Sequence, residues 1–349
     1  MATNDMTETI LVTGGSGFIG GWSIVELLRR GYVVRTTVRD LSQEAAVRAS
    51  IAAVAGPTDG LRFFRADLTR DDGWDAASAG CDRVLHVASP LGFSGPADPQ
   101  AMLTAARDGT LRVLKAATLA GVKRVVMTSA AATATPPLLS AKESLSDERV
   151  WFDPDEPKVD AYRQSKRLAE RAAWDFINAH PGPTTLTTVL PGAVFGPVLN
   201  AAKLGSVQVI ARLLQGRVPA APRLGFEVVD VRDIADVHIR AMTSPEAAGQ
   251  RFLAVGEFMW MLDIARLLRD RLGDEWAEAV RKLPTRTMPD LLFRLVALQN
   301  PAIRSMAPRL GRAHRHSAAK AQRVLGWQAR PAADTLVDCS RSLLPLHAA

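Results

Sequence analysis

The 349-residue chain is sparing with several residue types, and each scarcity excludes something. Its two cysteines, Cys81 and Cys339, are too few for a disulfide framework and have no metal-ligand spacing, so no metal is expected. No apolar run approaches the ~18 residues a bilayer span needs. The stretch Leu291–Leu298 is short and broken by Arg294. Met1–Glu8 is polar and lacks the basic and apolar regions of a signal peptide. These absences predict a soluble, cytoplasmic protein with no membrane partner. Acidic charge is thin at one end only: residues 276–349 hold 12 Lys+Arg against 4 Asp+Glu, and the rest is close to neutral. That basic quarter has few aromatics on which bases would stack, so no nucleic-acid partner is expected. Its field would attract a polyanionic cofactor or an anionic substrate, although a solubilising surface is the simpler account.

What the chain does have is alternation. Strand-like runs at Thr9–Thr13, Tyr32–Val38, Leu61–Ala66, Arg83–Ala88, Val122–Thr128 and Thr184–Leu190 are separated by helical patterns, clearest at Phe18–Arg30, Pro99–Ala120 and Val159–Ala179. Strands alternating with helices imply parallel pairing through right-handed crossovers, hence an α/β fold with a doubly wound parallel sheet. After Pro191, proline and glycine punctuate the chain and regularity falls. The division expected is a dinucleotide-binding domain over 1–195, with a strand near 251–255 returning to its sheet, and a mostly C-terminal substrate lobe over 196–349. Helical pieces at Val207–Leu214, Arg232–Met242, Leu262–Leu272 and Pro289–Leu298 are assigned to that lobe.

The first strand runs into Gly14-Gly15-Ser16-Gly17-Phe18-Ile19-Gly20 and then a helix, the strand–turn–helix context of a Rossmann dinucleotide site. Gly14 permits the turn, Gly17 the approach of a pyrophosphate, and Gly20 close helix–strand packing. A bare glycine turn is the alternative. The second strand ends Thr37-Val38-Arg39-Asp40, with Val38 where an NAD enzyme places its ribose-binding acid. Arg39 instead suits the 2′-phosphate of NADP(H), while Asp40 keeps an NAD reading open. Arg48 is a second phosphate contact or a solvated helix charge. Asp67, after the third strand, either bonds the adenine amine or caps a turn.

Tyr162 and Lys166, four apart on a predicted helix, share one face. A phenol of pKa ~10 is a poor acid–base group at neutral pH until a neighbouring ammonium favours its phenolate. That arrangement suits a tyrosine giving a proton to a carbonyl oxygen while hydride arrives from a nicotinamide. Only one other tyrosine exists, Tyr32, at a strand start.

Together with Pro191-Gly192-x-x-x-Gly196-Pro197 and Val229-Asp230-Val231-Arg232-Asp233, these motifs resemble the extended short-chain dehydrogenase/reductase family. Thr36–Asp40, His86-Val87-Ala88-Ser89-Pro90 and Ser165-Lys166-x-x-Ala169-Glu170 are similar to its dihydroflavonol-reductase-like branch, which includes microbial aldehyde and ketone reductases. The resemblance implies NADP(H)-dependent reduction of a small-molecule carbonyl by a monomer or homodimer. It implies cofactor contacts at Gly14, Gly17, Phe18, Ile19, Gly20, Arg39, Asp67, Leu68, Val87, Ala88, Ser89, Lys166, Pro191 and Val194. It implies substrate contacts among Phe93, Thr133, Phe195, Gln208, Met259 and Trp260, each equally at home in a core. One departure stands out. Where the branch has Thr-Ser-Ser after the fifth strand, this chain has Thr128-Ser129-Ala130, so Ala130 takes the position of the carbonyl-binding serine. Ser129 is retained as the third catalytic candidate beside Tyr162 and Lys166, although alternation along a strand turns adjacent residues to opposite sides. The same departure, with Val38 and Arg39, weighs against a sugar-nucleotide epimerase or dehydratase using NAD. A redox-sensing regulator that binds NADP without catalysis is the other alternative. His86 is read as a core histidine, and His314-Arg315-His316 as a solvated basic segment.

Overall fold

The computed structural model describes residues 7–90, 99–137, 141–153, 160–200, 205–299 and 301–347. Twelve strands lie among these residues: β1 (Thr9–Thr13), β2 (Val33–Val38), β3 (Leu61–Arg65), β4 (Arg83–His86), β5 (Arg124–Thr128), β6 (Glu143–Ser146), β7 (Thr185–Pro191), β8 (Ala193–Phe195), β9 (Gly225–Asp230), β10 (Arg251–Ala254), β11 (Phe258–Trp260) and β12 (Ala313–His316). Seven form one parallel sheet in the order β10-β7-β5-β4-β1-β2-β3. This is the Rossmann arrangement, with the strand order reversing between β1 and β4. The inner strands are apolar along their length because both faces are covered: Ile10, Leu11 and Val12 are fully buried, as are Val84, Leu85, Val125 and Val126.

The helices that position the site are α1 (Phe18–Arg29), α2 (Glu44–Ala55), α3 (Trp74–Ser78), α4 (Pro99–Leu119), α5 (Ala161–Ala179), α6 (Gln208–Leu214), α7 (Val231–Thr243) and α8 (Met261–Leu272). On one sheet face Ile24, Val25 and Leu27 of α1 join Ile234, Ala235 and Val237 of α7 in a single core cluster. On the other, Val113 and Leu114 of α4 and Ala169 and Ala173 of α5 meet Leu11, Val84 and Val125. The placement of α7 corrects the sequence reading, which put 232–242 in the substrate lobe. Its apolar face packs with α1 on the main sheet, and amphipathic spacing reveals an inward face without saying which layer it meets.

The lobe has its own core, from Phe195, Ile210, Leu213, Leu224, Ile264, Leu268 and Leu336. It carries a three-stranded sheet, β11-β9-β8, and a parallel pair, β12-β6. His314 and His316 lie in that pair. His316 is buried, with its ring against the Glu227 carboxylate, and His314 Nδ1 is 2.7 Å from Ser144 Oγ. The segment is structural, which corrects its reading as solvated. No cluster of metal-ligating side chains occurs among the described residues.

Candidate active site

The site forms at the carboxyl ends of β1, β4 and β5, where open α/β sheets place their ligands. From β1 the chain turns through Gly14, at φ +74°, a left-handed conformation that favours glycine. Gly14 N–H donates to Thr37 Oγ1 (3.0 Å) and Gly15 N–H to the Thr37 carbonyl (3.2 Å), tying the loop to β2. A Cβ on Gly15 would lie 2.1 Å from Thr36 Oγ1, and one on Gly20 would lie 2.4 Å from the Gly14 carbonyl. Packing therefore excludes side chains at both. At Gly17 a Cβ would meet only the Gly14 carbonyl, at 3.2 Å, so smallness there serves approach from outside the protein.

Helix α1 begins immediately after, with no side-chain cap and no acid in its first turn, whereas Asp160 and Asp230 cap α5 and α7. Half-buried Phe18 and Ile19, with buried Gly20, make this first turn. Its uncapped N–H groups and the positive end of the helix dipole suit a pyrophosphate. A narrow groove lined by Ser16, Gly17, Phe18, Val47 and Leu199 runs beside it. These residues fit a dinucleotide.

The end of β2 separates the two cofactor readings. Both Asp40 oxygens are engaged by Ser42, from its N–H at 2.9 Å and its hydroxyl at 2.6 Å, and these bonds hold the carboxyl below its usual range. Arg39 is exposed and makes no hydrogen bond or salt bridge with the described residues. Arg48 is used elsewhere: it holds Glu44 (2.7 Å) and the carbonyls of Thr58 and Leu61 (both 3.1 Å) and lies over the Phe63 ring. It is held within the protein and is not the solvated charge expected. Asp67 Oδ1 accepts from the N–H and hydroxyl of Thr69, both at 2.8 Å, as a turn acid does. Its Oδ2 makes no such bond. Leu68 beside it is half-buried, and a Cβ on Gly109 of α4 would overlap its side chain.

His86 is a core histidine. Thr13 Oγ1 accepts the N–H groups of Val87 (3.1 Å) and Ala88 (3.0 Å), so its own proton goes to His86 Nδ1 at 3.0 Å. The other ring nitrogen then carries its proton toward Thr110 Oγ1 at 3.3 Å. Burial, then the Lys166 charge, pushes His86 down to about 3, so the ring is neutral. Its work is to fix the Val87–Ala88 backbone against the glycine loop, where a Cβ on Gly14 would touch Ala88 Cα at 3.0 Å. Ser89 follows, half-buried.

Tyr162 and Lys166 lie one turn apart on α5. Lys166 is buried, with Nζ donating to the Thr128 carbonyl at 3.2 Å, which anchors α5 to the end of β5. Burial lowers its pKa to about 8, against the raising charge of Glu170. The protein packed around Tyr162, then the Asp160 carboxylate, push its pKa up to about 12, with Arg309 opposing; this reverses the lowering by the Lys166 ammonium expected from the sequence. Yet 41% of its surface still reaches solvent. Arg309, far away in sequence, was not among the expected site residues, and no local pattern marks it.

Ser129 does not join them through its hydroxyl. Its N–H continues the β5–β7 ladder at 2.7 Å from the Val189 carbonyl, so strand alternation holds past Thr128. Thr128 Oγ1 turns to His238 Nε2 on α7 at 2.7 Å, and Ser129 Oγ donates to Glu170 Oε2 on α5 at 2.6 Å. Fully buried Thr133 is 2.8 Å from the same Glu170 oxygen. Thr188 Oγ1 and Arg251 Nε reach Glu170 Oε1, both at 2.9 Å. Arg251 lies over Trp151, its Cζ 3.6 Å from the ring centroid, and bonds the Val150 carbonyl at 3.0 Å. Ser129 and Thr133, expected to face the carbonyl, are thus committed to a buried ion-pair cluster.

The remaining expected contacts divide. Phe195 is fully buried in the lobe core, edge-on to Phe226, so it is packing and not lining. Val194 is 7% exposed within the α1–α7 core, and Pro191 is buried at the end of β7. Gln208 and Met259 are half-buried, as is Trp260, which stacks edge-on with Phe258. Phe93 lies outside the described residues. A polar cavity of about 480 Å³ opens elsewhere, lined by Arg232, Arg271, Arg330, Asp334 and Asp338. Arg232 pairs there with Asp230 and Asp338, and Arg330 with Asp233, so it is a salt-bridged seam away from the α5 chemistry.

A model of the NAD dependent epimerase/dehydratase family matches residues 10–256. The chain is 34% identical over 269 residues to cinnamoyl-CoA reductase 1 of Oryza sativa subsp. japonica, covering 76% of this chain and 77% of that protein. It is 32% identical over 270 residues to dihydroflavonol 4-reductase of Zea mays, covering 75% and 74% respectively. In fold it is similar to yeast methylglyoxal/isovaleraldehyde reductase Gre2 complexed with NADPH, with TM-score 0.79 and 22% identity over 97% of this chain and 99% of that one. The chain belongs to the NAD dependent epimerase/dehydratase family, and is an oxidoreductase of the dihydroflavonol-reductase-like branch of the extended short-chain dehydrogenases/reductases.

Proposed function

We propose that this protein reduces an aldehyde or ketone to an alcohol with NADPH, Tyr162 supplying the proton. The observation that carries the reading is the Tyr162–Lys166 pair on α5, anchored to the end of β5 beside an uncapped glycine-loop helix. The cofactor is NADP(H): Gly14–Gly20 would hold the pyrophosphate, Arg39 the 2′-phosphate, Asp67 the adenine amine, and Lys166 the nicotinamide ribose. NADPH bound there would supply the hydride that the carbonyl carbon takes up. Tyr162 gives its phenolic proton to the carbonyl oxygen and is reprotonated from the solvent its exposed edge meets. Lys166, charged below about pH 8, stabilises the phenolate left behind. With Ser129 and Thr133 held by Glu170, Tyr162 is the one of these three hydroxyls left to orient the carbonyl.

Two outcomes test this reading. Carbonyl reduction should hold steady through neutral pH and fall above about pH 8 as Lys166 loses its proton. The sign follows from burial lowering an ammonium pKa, and a pH–rate profile of kcat/KM flat to pH 10 would remove the Lys166 charge from the reaction. Arg39→Ala should raise the KM for NADPH by roughly 10–100-fold, the worth of a charged hydrogen bond. The KM for NADH should change little, and equal effects on both would remove Arg39 from the site.

A further inference from the structure

The helix Asp290–Gln299 is out of keeping with the rest of the surface. Of ten large hydrophobic side chains exposed among the described residues, five lie on it: Leu291 (72%), Leu292 (50%), Leu295 (54%), Val296 (41%) and Leu298 (71%). Its buried face is Phe293 and Ala297, four residues apart, which enter the lobe. Leu291, Leu295 and Leu298 recur at i, i+4 and i+7 on the opposite side, so the outward stripe is as regular as the inward one. A contiguous apolar patch of this kind marks an interaction surface.

Charge indicates what meets it. Residues 281–315 carry eight Lys+Arg and one acid, Asp290, whose carboxylate is taken by Arg223 at 2.6 Å. Arg294 on the helix, with Arg286, Arg304 and Arg309 near it in the chain, is exposed and forms no salt bridge with the described residues. A two-fold contact with a second copy would set this patch against itself and bring like charges together. An apolar stripe with a cationic flank matches a surface that offers acyl chains beneath anionic headgroups. We propose that the helix Asp290–Gln299 is a peripheral docking surface for an anionic phospholipid bilayer, seating Leu291, Leu295 and Leu298 at the acyl boundary with Arg294 among the headgroups.

Arg294, which rules out a membrane span, is the residue such an interfacial helix needs. No helix among the described residues is long and apolar enough to cross a membrane, and docking requires none. The helix also packs on the turn Ala307–Arg309, whose arginine adds to the cationic flank. The docking surface stands independently of the reductase reading.

The test is flotation of the purified protein with phosphatidylcholine vesicles, with and without about 30% phosphatidylserine. The protein should float with the acidic vesicles, release as salt rises, and partition roughly tenfold less onto neutral ones. L291S/L295S/L298S should lower partitioning onto acidic vesicles by about tenfold or more, and R294E by several-fold, with melting temperature unchanged because all four positions are exposed. Failure of the native protein to float with acidic vesicles at low salt would overturn the proposal, as would unchanged flotation of the triple variant. A native dimer that the triple substitution dissociates would assign the face to a second copy and overturn it equally.

Discussion

Tyr162→Phe should lower kcat for carbonyl reduction by roughly 10²–10⁴-fold, the usual worth of a positioned proton donor, while leaving NADPH binding unchanged. The loss belongs to kcat because the phenolic proton moves only in the transition state. Several features of this site place the effect toward the upper end. The pKa near 12 keeps Tyr162 protonated throughout the neutral range, so the acid form needed for reduction is always present. Ala130 occupies the position of the branch's carbonyl-binding serine, and Ser129 and Thr133 give their hydroxyls to Glu170. No neighbouring hydroxyl from this segment therefore stands in for the lost phenol. The same pKa predicts a direction: alcohol oxidation needs the phenolate and should speed up toward alkaline pH. Single-turnover NADPH consumption by the two proteins measures the ratio, and equal rates would show that Tyr162 is not the donor.

Glu170→Gln should cost about 3–5 kcal/mol of stability, the price of breaking a buried ion pair from one side. Glu170 is fully buried and Arg251 is 9% exposed, so neither charge is solvated in place of its partner. The carboxylate collects donors from Ser129, Thr133, Thr188 and Arg251, which joins the segment after β5 to β7, β10 and α5. An apolar double replacement at 170 and 251 should recover only part of the loss, since the Ser129 and Thr188 hydroxyls would lose their acceptor, Thr133 keeping the Ala130 carbonyl. A second readout separates this from simple destabilisation. Glu170 holds the Lys166 pKa up, so in the variant that still folds the alkaline fall in reduction should begin below pH 8. Denaturant unfolding gives the first number and a pH–rate profile the second. A loss under about 1 kcal/mol would mean that water already satisfies the cluster.

Much of this was legible in the chain because it is local. The strand at Thr9–Thr13, the glycine turn and the Tyr162–Lys166 spacing are short-range patterns, and the structure places each on its expected element. The two-residue period of strands weighs against Ser129 in the sequence and turns it to the face opposite Thr128, although Ser129 stays a candidate there and Glu170 as its destination was not foreseen. What stayed hidden is what only tertiary contact decides. Phe195 lies beside a recognisable motif, yet the closure of the lobe buries it completely. The strands Ala193–Phe195 and Phe258–Trp260 have three residues each, too few for a period, and exist through pairing with β9. Asp40 kept an NAD reading open in the sequence, and only the structure shows both its oxygens engaged by Ser42. The Arg309 charge opposes the rise in the Tyr162 pKa, with nothing in its sequence neighbours to announce it.

The central claim is that bound NADPH is spent on a carbonyl. Incubating the native protein with NADPH carrying deuterium at both nicotinamide C4 positions and a panel of aldehydes, ketones and dihydroflavonols, followed by mass spectrometry of the products, tests it most directly. Deuterium on the carbinol carbon of a product alcohol, one for each NADPH consumed, is the predicted result. Tight NADPH binding with no deuterium transferred to any member of the panel would contradict it and identify a protein that senses the nucleotide without using it.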